Sequence, residues 1–209
     1  MTRDTGADAS VPSRSAITGV ILAGGRGVRM GNVDKGLVEL DGQPLVAHAL
    51  ARLAPQVATI VVNANRNAEA YARYGYPVVG DAIEGYAGPL AGLAAGLGAA
   101  ATPFVVTVPC DSPFLPEDLV SRLASAMDAQ SADLAVAKTG DQPHPVFCLC
   151  NQAVLGSLTD FLTAGGRKID AWYARVKTVE VPFDDIAAAF SNINTREELN
   201  GFETGPAPH

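Results

Sequence analysis

Short, nearly unbroken apolar runs recur through the first two thirds of the chain: Ile17–Leu22, Val57–Asn63, Pro77–Gly80 and Phe104–Pro109. Runs this short, bounded by Gly, Pro, Asn and Asp, predict strands buried on both faces. Between them apolar residues return at helical spacing. In Pro44–Ala54 these are Leu45, Val46, Ala49, Leu50 and Leu53, with Pro44 near the first turn. Ala68–Tyr74 predicts a short helix, Leu90–Ala100 one rich in Ala, Gly and Leu, and Pro116–Met127 a helix opened by its proline. This alternation predicts an α/β fold, a mostly parallel sheet with helices on both faces.

The last third is less regular. Asp133–Ala137 and Pro145–Cys150 read as strands around a polar loop, Thr139 to His144. Asn151–Thr163 predicts a helix, Gly165–Lys168 a loop, Ile169–Ala174 a short helix and Thr178–Val181 an edge strand. Thr195-Arg196-Glu197-Glu198 is a capping box that starts a final helix. No internal repeat or low-complexity linker interrupts the pattern. The 209 residues therefore read as a single domain over 16–202 between loose tails at 1–15 and 203–209. The N-terminal tail is polar and lacks the apolar segment of a signal peptide. No apolar run approaches about 18 residues, so no membrane span is expected.

A net charge of −7 argues against non-specific nucleic-acid binding, which needs a basic surface to displace counterions. Cys110, Cys148 and Cys150 lack metal-ligand spacing and read as reduced core thiols of a cytoplasmic protein, with Cys148 and Cys150 on one side of a strand.

The run LAGGRGVRMGNVDKGL, Leu22 to Leu37, changes the picture. It gathers glycines, Arg26, Arg29 and Lys35 at the exit of the first strand, where open α/β sheets bind phosphates. A dinucleotide fingerprint fails because Met30 stands where its third glycine belongs. A Walker A loop fails because Lys35 precedes Gly36 and Leu37 follows it. The other strand exits are polar too: Asn63, Asp81 and Asp111. Asp111 alone is as often a loop cap as a metal ligand, but beside a cationic Gly-rich loop it reads as an Mg²⁺ ligand. Lys35 reads as a point charge for phosphate oxygens. Asn63 and Asp81 are able to read base or ribose edges, or else serve as turn residues after their strands. A carboxylate there would accept from both N1–H and the exocyclic amine of guanine. His144, between prolines, reads as structural or as a substrate-loop contact, and His48 as a helix-surface histidine.

The loop fits a signature of nucleotidyltransferases, L-A-G-G-x-x-x-R-M-G-x-x-D-K. Further motifs follow in order: V-V-N-A-N-R at Val61–Arg66, G-P-L-A-G at Gly88–Gly92, P-C-D-S-P at Pro109–Pro113, H-P at His144–Pro145 and N-I-N-T-x-E-E-L at Asn192–Leu199. Together they resemble the molybdenum cofactor guanylyltransferases, the MobA family, from about Ile17 to Leu199. The resemblance implies a Rossmann-like nucleotidyltransferase fold. It implies transfer of GMP from GTP to the terminal phosphate of Mo-molybdopterin, with Mg²⁺ as cofactor and pyrophosphate as leaving group.

By position, the resemblance assigns Leu22, Ala23, Gly24, Lys35, Asn63, Asp81 and Asp111 to GTP, with Asp111 also the Mg²⁺ ligand. Gly25 and the Gly88-Pro89-Leu90 turn should lie by the base. Arg29 and Lys35 should offset phosphate charge. Arg167, Lys168, Asn192 and Asn194 are candidates for the pterin side. Transient contact with molybdopterin-delivery proteins is a further expectation, with neither nucleic acid nor membrane as partner. The alternatives are transfer of CMP to molybdopterin, transfer of a nucleotide to a sugar phosphate, or a non-catalytic GTP-binding regulator. Gly25 favours guanine, since cytidylyl relatives typically read L-A-A-G there. The set Arg29, Lys35 and Asp111 argues against a mere regulator.

Overall fold

The structure, a computed structural model, describes residues 11–23, 33–82 and 88–193. Its centre is a sheet of seven strands: β1 (Ile17–Leu22), β4 (Thr59–Asn63), β5 (Val78–Val79), β6 (Phe104–Pro109), β7 (Leu134–Thr139), β8 (Gln142–Asn151) and β9 (Thr178–Pro182). The order is β5-β4-β1-β6-β8-β7-β9. All neighbouring pairs are parallel except the two that β8 makes, with β6 and with β7.

The apolar runs form these strands because both faces are covered. On β1, Ile17 and Ile21 join one core and Val20 the other. The first core is closed by helices α1 (Leu45–Leu53), α2 (Ala68–Ala72) and α4 (Leu119–Ala129). The second is closed by α3 (Pro89–Ala99), α5 (Leu155–Thr163) and α6 (Ile169–Tyr173). α1 buries the five apolar residues its periodicity singles out. α3 instead approaches the sheet through glycine: a Cβ on Gly96 would stand 2.6 Å from a Val20 methyl. Cys148 and Cys150 share the second core, as their spacing predicts, and all three cysteines are buried free thiols.

Several details differ from the sequence reading: α4 begins at Leu119 rather than at Pro116, and Asn151 closes β8 instead of opening a helix. The polar loop from Thr139 to His144 is a tight hairpin turn at Gly140–Asp141, and Gln142 to His144 already pair as β8 with β7. Glu39–Leu40 and Gln43–Pro44 form a small antiparallel ribbon, β2 and β3, around Asp41-Gly42, both at positive φ. His48 is half-buried in α1, and its Nε2–H donates to the Leu40 carbonyl at 2.9 Å, tying the ribbon to the helix. The capping box and most of both tails lie outside the described residues. No helix among the described residues is long and apolar enough to cross a membrane.

The order of strands locates the ligand crevice. The chain runs outward from β1 to β4 and β5, then returns to place β6 on the other flank of β1. The connecting helices change face at the same step: α1 and α2 lie on one side and α3 on the other. A crevice therefore opens at the carboxyl ends of β1 and β6, where neither connection covers the sheet. There Leu22 pairs with Pro109, and the Cys110 N–H donates to the Leu22 carbonyl at 3.1 Å.

Candidate functional site

A cavity of about 400 Å³ occupies this crevice, a size within the range of small-ligand sites. Leu22 and Ala23 line it at the end of β1, Asn63 and Asn65 at and beyond the end of β4, Asp81 from beyond β5, and Pro109, Cys110 and Asp111 at and beyond the end of β6. Asp34, Lys35, Gly88, Pro89, Gly92 and Val146 also line it. The polar strand exits singled out in the sequence thus converge on one space. Gly24, Gly25, Arg29 and Asn194 lie outside the described residues.

One wall is an amide–carboxylate cluster. Asn63 Nδ2 donates to Asp81 Oδ1 at 2.9 Å, and Asn65 Nδ2 to Asp81 Oδ2 at 2.8 Å. The Asp81 N–H donates back to Asn65 Oδ1 at 2.7 Å. Each carboxylate oxygen keeps a second lone pair, so Asp81 is oriented without being saturated. Gly92 on α3 permits this arrangement, because a Cβ there would stand 2.5 Å from Asn63 Oδ1 and 2.8 Å from a Leu22 methyl. Asn65 and Gly92 were not assigned roles from sequence. Both stand inside quoted motifs, N-A-N-R and G-P-L-A-G, and that was the signal available.

The other wall carries charge. Lys35 Nζ lies 3.1 Å from Asp111 Oδ2, with the two side chains 21% and 13% exposed. A lysine so placed is a cation at the wall of the cavity, with a carboxylate beside it that balances its charge. Cys110 lies next to the pair but is no nucleophile. Burial first, then the Asp111 and Asp34 carboxylates, push its thiol well above the usual range, so it stays protonated at neutral pH.

The mouth is shaped by Gly88, whose φ of 73° and ψ of −163° are open to glycine and strained for other residues. Pro89 follows as the first residue of α3 and is exposed at the cavity. Leu90 corrects the sequence reading. It is 1% exposed and turned into the second core, because successive helical positions point about 100° apart. The motif grouped it with Gly88 and Pro89 by adjacency alone.

The pterin-side candidates divide. Asn192 lies beside the site without lining the cavity: its Oδ1 accepts from the Ser112 hydroxyl, and the next residue, Ile193, donates its N–H to the Asp111 carbonyl at 3.0 Å. Buried Ile193, packed with Leu40 and Leu45, anchors this returning segment. Arg167 and Lys168 do not line the cavity. The Arg167 guanidinium donates to the carbonyls of Leu162 and Gly166, and Lys168 is the exposed residue before α6. α6 flanks a narrow crevice that shares Leu22, Pro89 and Val146 with the cavity. His144 is structural. Its Nε2 lies 2.8 Å from Thr139 Oγ1, its ring stacks on Phe190, and burial lowers its pKa, which leaves it neutral at pH 7.

Known proteins share this architecture. The chain matches the family described as MobA-like NTP transferase domain over residues 19–179. It is 55% identical over 197 residues to the molybdenum cofactor guanylyltransferase of Cupriavidus necator, a match that covers 92% of this chain and 98% of that protein. The protein of the same name from Ralstonia nicotianae is 54% identical over 194 residues, covering 88% of this chain and 95% of its own. The crystal structure of molybdopterin-guanine dinucleotide biosynthesis protein A from Archaeoglobus fulgidus is similar at a TM-score of 0.75 and 26% identity, covering 89% and 96% of the two chains. A crevice of this build, within a match that spans most of the chain, has one consistent reading: the protein belongs to the MobA-like family of nucleotidyltransferases, that of the molybdenum cofactor guanylyltransferases.

Proposed function

We propose that this nucleotidyltransferase moves GMP from GTP to the terminal phosphate of Mo-molybdopterin, releasing pyrophosphate. The observation that carries the proposal is one cavity joining the Asn63–Asp81–Asn65 cluster to the Lys35–Asp111 pair. A nucleoside triphosphate needs both halves, an edge-reading wall for the base and a charged wall for the phosphates. The remaining lone pairs of Asp81 suit the N1–H and exocyclic amine of guanine, a donor pair cytosine lacks. The guanylyltransferase names of the relatives point the same way.

Mg²⁺ fits the donor set. It takes one or two carboxylates and completes its shell with water and phosphate oxygens. Asp111 is one such carboxylate at the cavity wall, and among the described residues no three His, Cys, Asp or Glu side chains form an all-protein cage. Asp111 would hold the ion, which when bound supplies positive charge beside the phosphate oxygens.

The reaction is an in-line displacement. A molybdopterin phosphate oxygen forms a bond to the α-phosphorus of GTP as the bond to the bridging oxygen of the β-phosphate breaks, and pyrophosphate departs with that electron pair. The attacking oxygen is already ionised at neutral pH, so no general base is required, and neutral, hydrogen-bonded His144 is not cast as one. Catalysis consists of positioning and charge stabilisation. Asn63 and Asp81 orient the base, and Lys35 offsets charge on the α-phosphate and the leaving pyrophosphate. Among the described pterin-side candidates, Asn192 is the one tied to the Asp111–Ser112 turn beside this chemistry. The molybdenum belongs to the substrate, held by its dithiolene sulfurs.

The test is incubation with each of the four NTPs, Mg²⁺ and Mo-molybdopterin, followed by mass analysis of the cofactor. GTP is expected to be used at least about tenfold better than CTP or ATP, roughly 1.4 kcal/mol in transition-state binding. Equal kcat/KM for CTP would overturn the guanine assignment and leave the fold untouched.

Gly92→Ala probes the base wall. The added methyl has no room beside Asn63 Oδ1 and Leu22, so the Asn63 amide must leave Asp81. KM for GTP is expected to rise about tenfold, the equivalent of one lost hydrogen bond. Stability should fall by about 1–3 kcal/mol through overpacking. A loss of stability with unchanged KM would show that Asn63 takes no part in binding.

A further inference from the structure

One residue of the cavity wall, Asp34, belongs to a polar cluster to which the transfer chemistry above gives no role. Asp34 is buried, and its two carboxylate oxygens are taken by donors from the α2 segment: the Tyr71 hydroxyl on Oδ1 and Asn67 Nδ2 on Oδ2 at 2.9 Å. Tyr71 is fully buried. Burial first, with Cys110 and the Asp34 carboxylate adding to it, holds its phenol far above the usual range, so it remains a proton donor. Asn67 sits at φ 53° and ψ 29°, a left-handed conformation that asparagine tolerates better than most residues.

The backbone links this cluster to Lys35. The Leu37 N–H donates to the Asp34 carbonyl and the Val38 N–H to the Lys35 carbonyl, each at 3.1 Å, closing a single tight turn. Gly36 within the turn lies so near α2 that a Cβ would stand 2.5 Å from the Tyr71 hydroxyl oxygen and 3.1 Å from Cys110 Sγ. Tyr71 therefore grips the residue before Lys35 and abuts the residue after it.

We propose that Tyr71 and Asn67 are positioning residues for nucleotidyl transfer: by holding the Asp34 carboxylate they fix the turn that aims Lys35 at the phosphates. This rests on the reading of Lys35 as a phosphate contact. Neither residue touches the substrate in this scheme; both act through Lys35.

The experiment is a double-mutant cycle of Tyr71→Phe with Lys35→Ala. It is read by kcat with GTP, Mg²⁺ and Mo-molybdopterin, and by calorimetric Kd for GTP without the acceptor. Tyr71→Phe keeps the ring that fills the core and removes the hydroxyl alone. In the wild-type background it should lower kcat about 10- to 100-fold, the effect of a misplaced reacting group, and weaken GTP binding. In the Lys35→Ala background it should change either quantity by less than about twofold, because residues that act as one unit are not additive. Asn67→Gly, which keeps the left-handed backbone and removes the donor, should behave alike and carries the cycle if Tyr71→Phe fails to melt cooperatively. Wild-type kcat and Kd in Tyr71→Phe would overturn the proposal. So would a loss of equal size in both backgrounds, which marks a purely structural tyrosine. Wild-type turnover in Lys35→Ala alone would instead overturn the phosphate role of the lysine, and the proposal with it.

Discussion

Asp111→Asn is expected to cut turnover by about 10³-fold while the protein keeps its fold, the loss that follows removal of a group stabilising transition-state charge. The substitution keeps the shape and one oxygen of the side chain but removes the charge that attracts Mg²⁺. Negative charge then gathers on the α-phosphate and pyrophosphate without an ordered cation to offset it. Among the described residues the carboxylate meets Lys35 Nζ, while the turn is held through the backbone by the Ile193 N–H on the Asp111 carbonyl. Its loss should therefore cost no more than about 1 kcal/mol, as for a partly exposed ion pair. The measurement is an Mg²⁺ titration of initial rate for both proteins beside their melting curves. Partial recovery at high Mg²⁺ supports the metal role. An unchanged Mg²⁺ dependence with a large fall in melting temperature would make Asp111 a structural residue.

Lys35→Ala should lower kcat/KM by about 10²-fold or more, again as loss of a charge-stabilising donor. Lys35 stands at the cavity wall with 21% of its side chain exposed, and its turn is held by Asp34, so stability should change little. Splitting the effect locates the interaction. A fall in kcat at constant KM means the ammonium acts on charge that develops in the transition state, and a rise in KM alone means uniform phosphate binding. Near wild-type values of both would reduce Lys35 to a surface residue.

The difference between what pattern and tertiary structure each contribute is clearest at particular elements. β1 and β6 fall within the bounds read from their apolar runs, because strands covered on both faces read as nearly unbroken apolar runs, here with only Thr18 and Thr107 as buried polar exceptions. α1 was equally legible from its single apolar stripe. The β2–β3 ribbon was missed although Asp41-Gly42 is a recognised hairpin dipeptide, since strands of two residues carry no period. The antiparallel pairing of β8 with β7 follows from the short connection between them, whereas its antiparallel place beside β6 carries no local signature.

The candidate site divides the same way. Composition, period and motif order were enough to place Leu22, Asn63, Asp81 and Asp111 at strand ends, and a parallel sheet sends all such ends to one edge. That inference needs only chain direction, which local sequence determines through β–α alternation. The turning of Leu90 into the core, the bracing of Asp81 by Asn65, the close approach at Gly92 and the grip of Tyr71 on Asp34 were decided by tertiary structure alone. Each depends on the distance between side chains from segments that fold from different faces. Such distances are set when helices settle on the sheet, where a single methyl group decides whether two surfaces meet.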